Sequence, residues 1–238
     1  MASLHGSEEQ ADRATTVVLP GALLTLTLVT GMVDAVSFLG LGHVFTANMT
    51  GNVVFLGFAV AGASGLSVRA SAIGLVSFLA GAVAGGRFGL ERAGRSRRRW
   101  RTLAGGTEVV LLGAATVCAI GVTADSGTAR QTPIIVLTAL AMGWRNATVR
   151  RLGLPDLTTT VLTQTLTGLA AESSFAGGMN PRAIRRVGSV VAMFLGALIG
   201  AALVLHVSLA WPLLVALLLA AAATLVYALA PEPVTSTH

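Results

Sequence analysis

Residues 31–57 read GMVDAVSFLGLGHVFTANMTGNVVFLG. The stretch places an ionisable residue, Asp34, in an apolar run and follows it with a cluster of small, hydroxyl and amide side chains: Thr46, Asn48, Thr50, Gly51 and Asn52. In a soluble protein this would be an ordinary loop. Long hydrophobic segments flank it on both sides, so it is expected at membrane depth, where ionisable and helix-interrupting residues are costly and mark a pathway or a site.

The stretch recurs. From Gly143 the chain reads GWRNATVRRLGLPDLTTTVLTQTLTGLA, and Gly31 and Ala35 meet Gly143 and Ala147 at an offset of 112 (143 − 31). After a one-residue insertion, Leu39, Gly40, Leu41, Thr46 and Thr50 meet Leu152, Gly153, Leu154, Thr159 and Thr163 at 113 (152 − 39), and Asp34 pairs with Asn146. Gly81 and Gly85 correspond to Gly196 and Gly200 at 115 (196 − 81). Two diverged copies of one unit of roughly 110 residues follow from this, a plan on which many transporter folds are built.

The segments TGMVDAVSFLGLG, FTANMTGNVV, AMGWRNATVRRLG and TTTVLTQTLTGLA resemble the YoaK-like family of bacterial integral membrane proteins, from Val17 to about Ala230. The NMTGN block is the most specific part of the likeness. The resemblance implies a polytopic membrane protein and brings no biochemical activity with it. Two positions depart from the family pattern: Arg145 stands where a neutral amide is usual, and Gln164 where a glycine is usual.

Composition agrees with a membrane chain. Of 238 residues, 54% are hydrophobic and 11% charged, with 28 glycines and a mean hydropathy of +0.78. The net charge of +6 comes from arginine, because there is no lysine. In such a chain basic residues report cytoplasmic loops and anionic headgroups, and no nucleic-acid-binding motif accompanies them, so nucleic acid is not an expected partner. Cys118 is the only cysteine, and His5, His43, His206 and His238 lie far apart, so neither a metal site nor a cofactor is expected. No Walker motif is present.

The expected fold is all-α and integral to the membrane. Residues 1–16 read as a polar tail, 17–124 as the first membrane repeat with a basic loop at 91–101, 131–230 as the second repeat, and 231–238 as a C-terminal tail. Thr27, Thr30, Asp34 and Ser37 form one polar stripe on the first span. The small pair Gly81 and Gly85 should admit a close helix neighbour. Glu108 is expected near the interface, the fifth span is expected to begin at Pro133, and Tyr227 reads as an interfacial anchor. If all eight apolar runs crossed, the arginines at 92–101 and at 182–186 would lie on opposite sides. If the two short segments, Asn48 to Ser64 and Thr158 onward, re-enter instead, six spans remain as two inverted repeats with both arginine clusters and both termini cytoplasmic.

The expected function is a secondary transporter or facilitator of a small polar or anionic solute in the plasma membrane, with its site between the repeats. Candidate solute- or proton-binding residues are Asp34, Thr46, Asn48, Thr50, Gly51 and Asn52 in the first copy, and Arg145, Asn146, Thr159, Thr163 and Gln164 in the second. A carboxylate at mid-membrane costs about 2.5 to 3.5 kcal/mol, which singles out Asp34. Arg145 either neutralises a solute carboxylate or pairs with Asp34. The polar residues at the half-helix starts either bind oxygens or simply cap the helices. The alternative is a non-transporting partner or assembly protein whose polar centre is structural. An enzyme is not expected, because no nucleophile and base show the necessary spacing. The lipid bilayer and an unidentified solute are the expected partners, and the sequence leaves a homo-oligomer open.

Overall fold

The computed structural model describes residues 2–91, 97–124, 126–151, 162–174, 177–179 and 183–229. These form eight α-helices and no strand: α1 Ala2–Gly40, α2 Met49–Val60, α3 Val68–Glu91, α4 Arg97–Cys118, α5 Thr128–Arg151, α6 Leu162–Ala171, α7 Ala183–His206 and α8 Ala210–Leu229. Four stretches are long and apolar enough to cross a bilayer: Gly21–Gly40, Val68–Leu90, Ala183–His206 and Ala210–Leu229. The first helix begins at Ala2, so residues expected as a polar tail continue α1. The fifth begins before Pro133, since the N–H groups of Arg130 and Gln131 already bond to Gly127 O.

Helix α1 packs against α7 and α8, and α5 packs against α3 and α4, while α4 and α8 pack on each other. The short helix α2 rides on α3, and α6 on α7. Exchanging α1 with α5, α2 with α6, α3 with α7 and α4 with α8 maps these pairings onto one another. The glycines show why. Gly31 on α1 faces Met193 and Ala197 of α7, and Gly143 on α5 faces Phe78 and Ala82 of α3; 193 − 78 and 197 − 82 both equal 115. Gly81 and Gly85 lie against Leu140 and Trp144, and Gly196 and Gly200 against Leu28 and Met32; 140 − 28 and 144 − 32 both equal 112. These are the offsets at which the sequence repeats. A Cβ on Gly85 would stand 2.8 Å from Trp144 O, and one on Gly200 2.8 Å from Met32 Cα, so the backbones can approach this closely only without side chains.

Direction follows from two pairs of contacts. Gln131 near the start of α5 donates to Gly40 O at the end of α1, while Arg145 near the end of α5 donates to Leu26 O in the earlier part of α1. Helices α1 and α5 therefore run antiparallel. So do α4 and α8, where Gly105 meets Thr224 and Gly113 meets Leu217. Helix α7 lies at the periphery and turns Val191, Phe194, Leu198 and Leu205 outward, an apolar face suited to lipid.

Candidate functional site

Two buried polar centres lie on the interior face of α1. The first is the break between α1 and α2. The chain leaves α1 through Gly42 and His43, whose φ values of 88° and 58° are in the left-handed region. The irregular backbone beyond them has N–H groups with no helical partner, and burying these unpaired is costly. Asp34 supplies the acceptor: its Oδ1 takes hydrogen bonds from Ala47 N at 2.9 Å and Thr46 N at 3.3 Å. Asn52 completes the arrangement, its Oδ1 accepting from Phe45 N at 2.8 Å and its Nδ2 donating to Phe45 O. The Phe45 ring stacks on Phe38 and Phe55 with centroids 5.1 and 5.6 Å apart, and it passes over Gly51, where a Cβ would come within 2.6 Å of it.

The remaining candidates of the first copy divide. Thr46 is fully buried, and its Oγ1 has no hydrogen-bond partner among the described residues. Asn48 occupies the N-cap position of α2 but makes no side-chain cap hydrogen bond, and both it and Thr50 are exposed. The rest of the polar stripe turns inward on its own helix: Thr27 Oγ1 donates to Leu23 O, Thr30 Oγ1 to Leu26 O and Ser37 Oγ to Asp34 O.

The second centre is built on Arg145. Its Nε donates to Glu108 Oε1 at 2.8 Å, and its Nη2 bonds the same oxygen. Its Nη1 donates to Leu26 O and to Thr30 Oγ1, each at 2.8 Å. The expected pairing of Arg145 with Asp34 is therefore corrected. Arg145 meets α1 a turn before Asp34, at Thr30, and its charge is taken by Glu108 of α4, while the Asp34 carboxylate faces the loop. Glu108 is 4% exposed, as is Arg145.

Asn146 is half-buried, with Nδ2 donating to Met142 O. Thr163 and Gln164 are exposed on α6, whose buried polar residue is Thr165. Thr159 lies outside the described residues, as do Arg92, Arg95 and Arg182.

Beside the Arg145–Glu108 pair is a cavity of about 30 Å³, room for one or two waters or a small ion. It is bounded by α1, α4, α5 and α8, and its polar lining includes Trp100, Arg101, Glu108, Arg145 and Tyr227. Tyr227 is 6% exposed and lines this cavity, so it is not an interfacial anchor. Its hydroxyl and Trp100 Nε1 are buried without a hydrogen-bond partner among the described residues. The two hydroxyls nearby are occupied: Thr148 Oγ1 donates to Trp144 O and Arg145 O, and Thr224 Oγ1 to Ala220 O. Sequence reasoning had Trp100 and Arg101 only as the end of a basic loop. The signal that could have found this centre is an intramembrane pair of opposite sign, Glu108 and Arg145, on adjacent spans.

Residues 22–226 match the family described as "Protein of unknown function (DUF1275)". The chain belongs to that family. It is also 31% identical over 154 residues to the UPF0700 transmembrane protein YoaK of Bacillus subtilis (strain 168), a match covering 64% of this chain and 66% of that one. The aligned region thus spans just under two thirds of the curated relative's length. No solved structure matches. The membrane character expected from composition agrees with the relative's description and with the four apolar spans.

Proposed function

We propose that the protein is a plasma-membrane facilitator or secondary transporter of a small polar or anionic solute, not an enzyme, with its site in the cavity between the two copies. The observation that carries this is the cavity itself: two unpartnered buried donors, Tyr227 OH and Trp100 Nε1, beside a guanidinium, at the junction of four helices drawn from both copies. A stabilising core would pair or remove such groups, since each costs on the order of 1–3 kcal/mol when unsatisfied.

In this reading six helices cross, as two inverted repeats with both termini in the cytoplasm. The antiparallel run of α1 and α5 supports it. If α2 spanned, α5 would be the fifth crossing and parallel to α1; with α2 re-entering, α5 is the fourth and antiparallel. Twelve residues of α2 extend about 18 Å, well short of a hydrocarbon core of about 30 Å. The exchange of helix pairings between copies supports it further.

The alternative, a non-transporting assembly protein, is favoured by one observation. Asp34 and Asn52 use their polar atoms to hold the break after α1, which is a structural duty. Proteoliposomes separate the two. Reconstituted protein should accelerate equilibration of at least one small anion or polar solute, and a folded preparation inert toward halides, carboxylates, amino acids and polyols would leave the assembly reading. Cysteine labelling on a Cys118-free background tests the topology: a cysteine at Ser96 should react from the cytoplasmic side only, and labelling from outside sinks six spans.

A further inference from the structure

The cavity beside Arg145 and Glu108 occupies one end of the junction between α1, α4, α5 and α8. Its lining takes Leu26 from the earlier part of the apolar stretch of α1, residues between 100 and 108 from the first half of α4, residues between 145 and 149 from the end of α5, and Thr224 and Tyr227 from the end of α8. The half-buried members of that lining are Trp100, Gly105 and Thr224, so the cavity opens between the start of α4 and the end of α8. Glu108 and Arg145, both buried, lie inside the mouth.

At their other end the same four helices are packed shut. Val33 and Val36 of α1, Leu112 of α4, Ile135 of α5, and Leu213 and Ala216 of α8 are each at most 1% exposed and belong to one apolar core cluster. The repeat carries the contrast: Val33 is the counterpart of Arg145 at the offset of 112 (145 − 33), so a guanidinium at the open end answers to a branched apolar side chain at the shut one. Gln131 spans the shut end. Its Nε2 donates to Ala124 O at 2.7 Å and to Gly40 O at 3.4 Å, which ties the start of α5 to the end of α1 and to the α4–α5 link. An apolar constriction excludes water and ions until it parts, and these hydrogen bonds must break when it does. At the open end Arg145 keeps α5 joined to α1 through Leu26 O and Thr30, so the two helices have a contact about which to tilt.

We propose that the molecule stands open to the cytoplasm: the Arg145–Glu108 cavity is the inner vestibule of the solute path, the packed half is an apolar outer gate, and Gln131 is the clasp that holds the gate shut. This rests on the six-span reading with the solute site in the cavity, and it assigns the side from which that site is reached. In the six-span topology the starts of α1 and α4 and the ends of α5 and α8 all face the cytoplasm. A solute beside Arg145 exchanges with the cytoplasm in this state, and it reaches the outside only after α1 and α5 part at Gln131.

The test uses the full-length protein with Cys118→Ser, in right-side-out and inside-out membrane vesicles, and a sulfonated methanethiosulfonate that does not cross lipid. Thr224→Cys, at the mouth, should be labelled from the cytoplasmic side only. Val36→Cys, one turn before the Gly40 carbonyl that Gln131 holds, should resist labelling from both sides. Gln131→Leu keeps the bulk and removes the hydrogen bonds; added to Val36→Cys, it should raise labelling from outside about tenfold or more, a tenfold rise in the open population. Val33→Ser wets the seal without touching the clasp, and it should act in the same direction if Gln131→Leu fails to fold.

Thr224→Cys that stays unlabelled from the cytoplasmic side overturns the proposal, since the mouth would then open to lipid or not at all. So does Val36→Cys that reacts from outside, with Gln131 intact, as fast as Thr224→Cys does from inside. Labelling of Val36→Cys that no folded gate variant changes removes the gate and its clasp. The transport reading fails separately: the expected labelling pattern without solute flux in proteoliposomes leaves a vestibule and a seal and removes transport. Flux without cytoplasmic labelling of Thr224→Cys removes the vestibule and leaves transport.

Discussion

Asp34 and Glu108 are two carboxylates buried to nearly the same degree, 6% and 4% exposed, in one helical bundle, and they are satisfied by opposite means. Asp34 is held by backbone. Its oxygen accepts the N–H groups of Thr46 and Ala47, so the charge is spread over peptide dipoles that a broken helix leaves pointing at it. Glu108 is held by a side chain, and the guanidinium of Arg145 is held in turn by Leu26 O and Thr30. The first arrangement closes on itself and fixes a chain reversal. The second opens onto a cavity with unfilled donors. The cost of burying a carboxylate is therefore a poor guide to function by itself; what separates the two is whether its surroundings are complete.

The largest effect should come from breaking the side-chain pair. Glu108→Ala leaves Arg145 as an uncompensated buried cation, and thermal or denaturant unfolding in detergent should show a loss of about 3 to 5 kcal/mol. Arg145→Met made together with Glu108→Ala should recover most of it, since an apolar replacement of the whole pair is often neutral. Failure of the double variant to recover would mean that Glu108 is held by something other than Arg145. The backbone-held carboxylate should respond more gently and with a different pattern. Asp34→Ala leaves two buried N–H groups unpaired, a loss on the order of 1–3 kcal/mol for each that water does not reach. Asp34→Asn keeps an oxygen in place and should cost less than Asp34→Ala, because only the charge assistance is lost. Equal losses for the two variants would show that Asp34 acts through its charge and not as an acceptor for the loop.

The architecture was legible where it depends on the absence of side chains. Gly31, Gly81 and Gly85 and their counterparts Gly143, Gly196 and Gly200 recur in the sequence at the offsets that their packing partners also obey, because a close backbone crossing has few solutions and each requires a small residue at a fixed place. The break after α1 was legible too, from Gly42 and the polar run behind it. The partners of Asp34 were not, because they are backbone N–H groups and leave no letter in the sequence. The partner of Glu108 was hidden for a different reason: Arg145 lies 37 residues further along the chain on another helix, and only the packing of α4 on α5 brings the two together. Tyr227 looked like an anchor because chain position near a span end cannot say which way a ring turns. Its inward orientation is a property of α8 packing on α4.

The smallest effect sharpens the comparison from the side of the closed centre. Thr46 is fully buried, its own N–H and that of Ala47 donate to Asp34, and its hydroxyl has no partner among the described residues. Its backbone is engaged; its side-chain oxygen is idle. Valine has nearly the same shape and lacks the oxygen, so Thr46→Val should remove an unsatisfied polar group without opening a cavity. The expected outcome is a stability equal to or up to about 1 kcal/mol above the native protein, because replacing an unpaired buried hydroxyl by a methyl removes a desolvation cost and adds none. Solute flux should be unaffected. A protein that keeps its stability and loses flux would instead place the solute at the break after α1, making the first centre the open one. The Arg145–Glu108 cavity would then be the structural member of the pair.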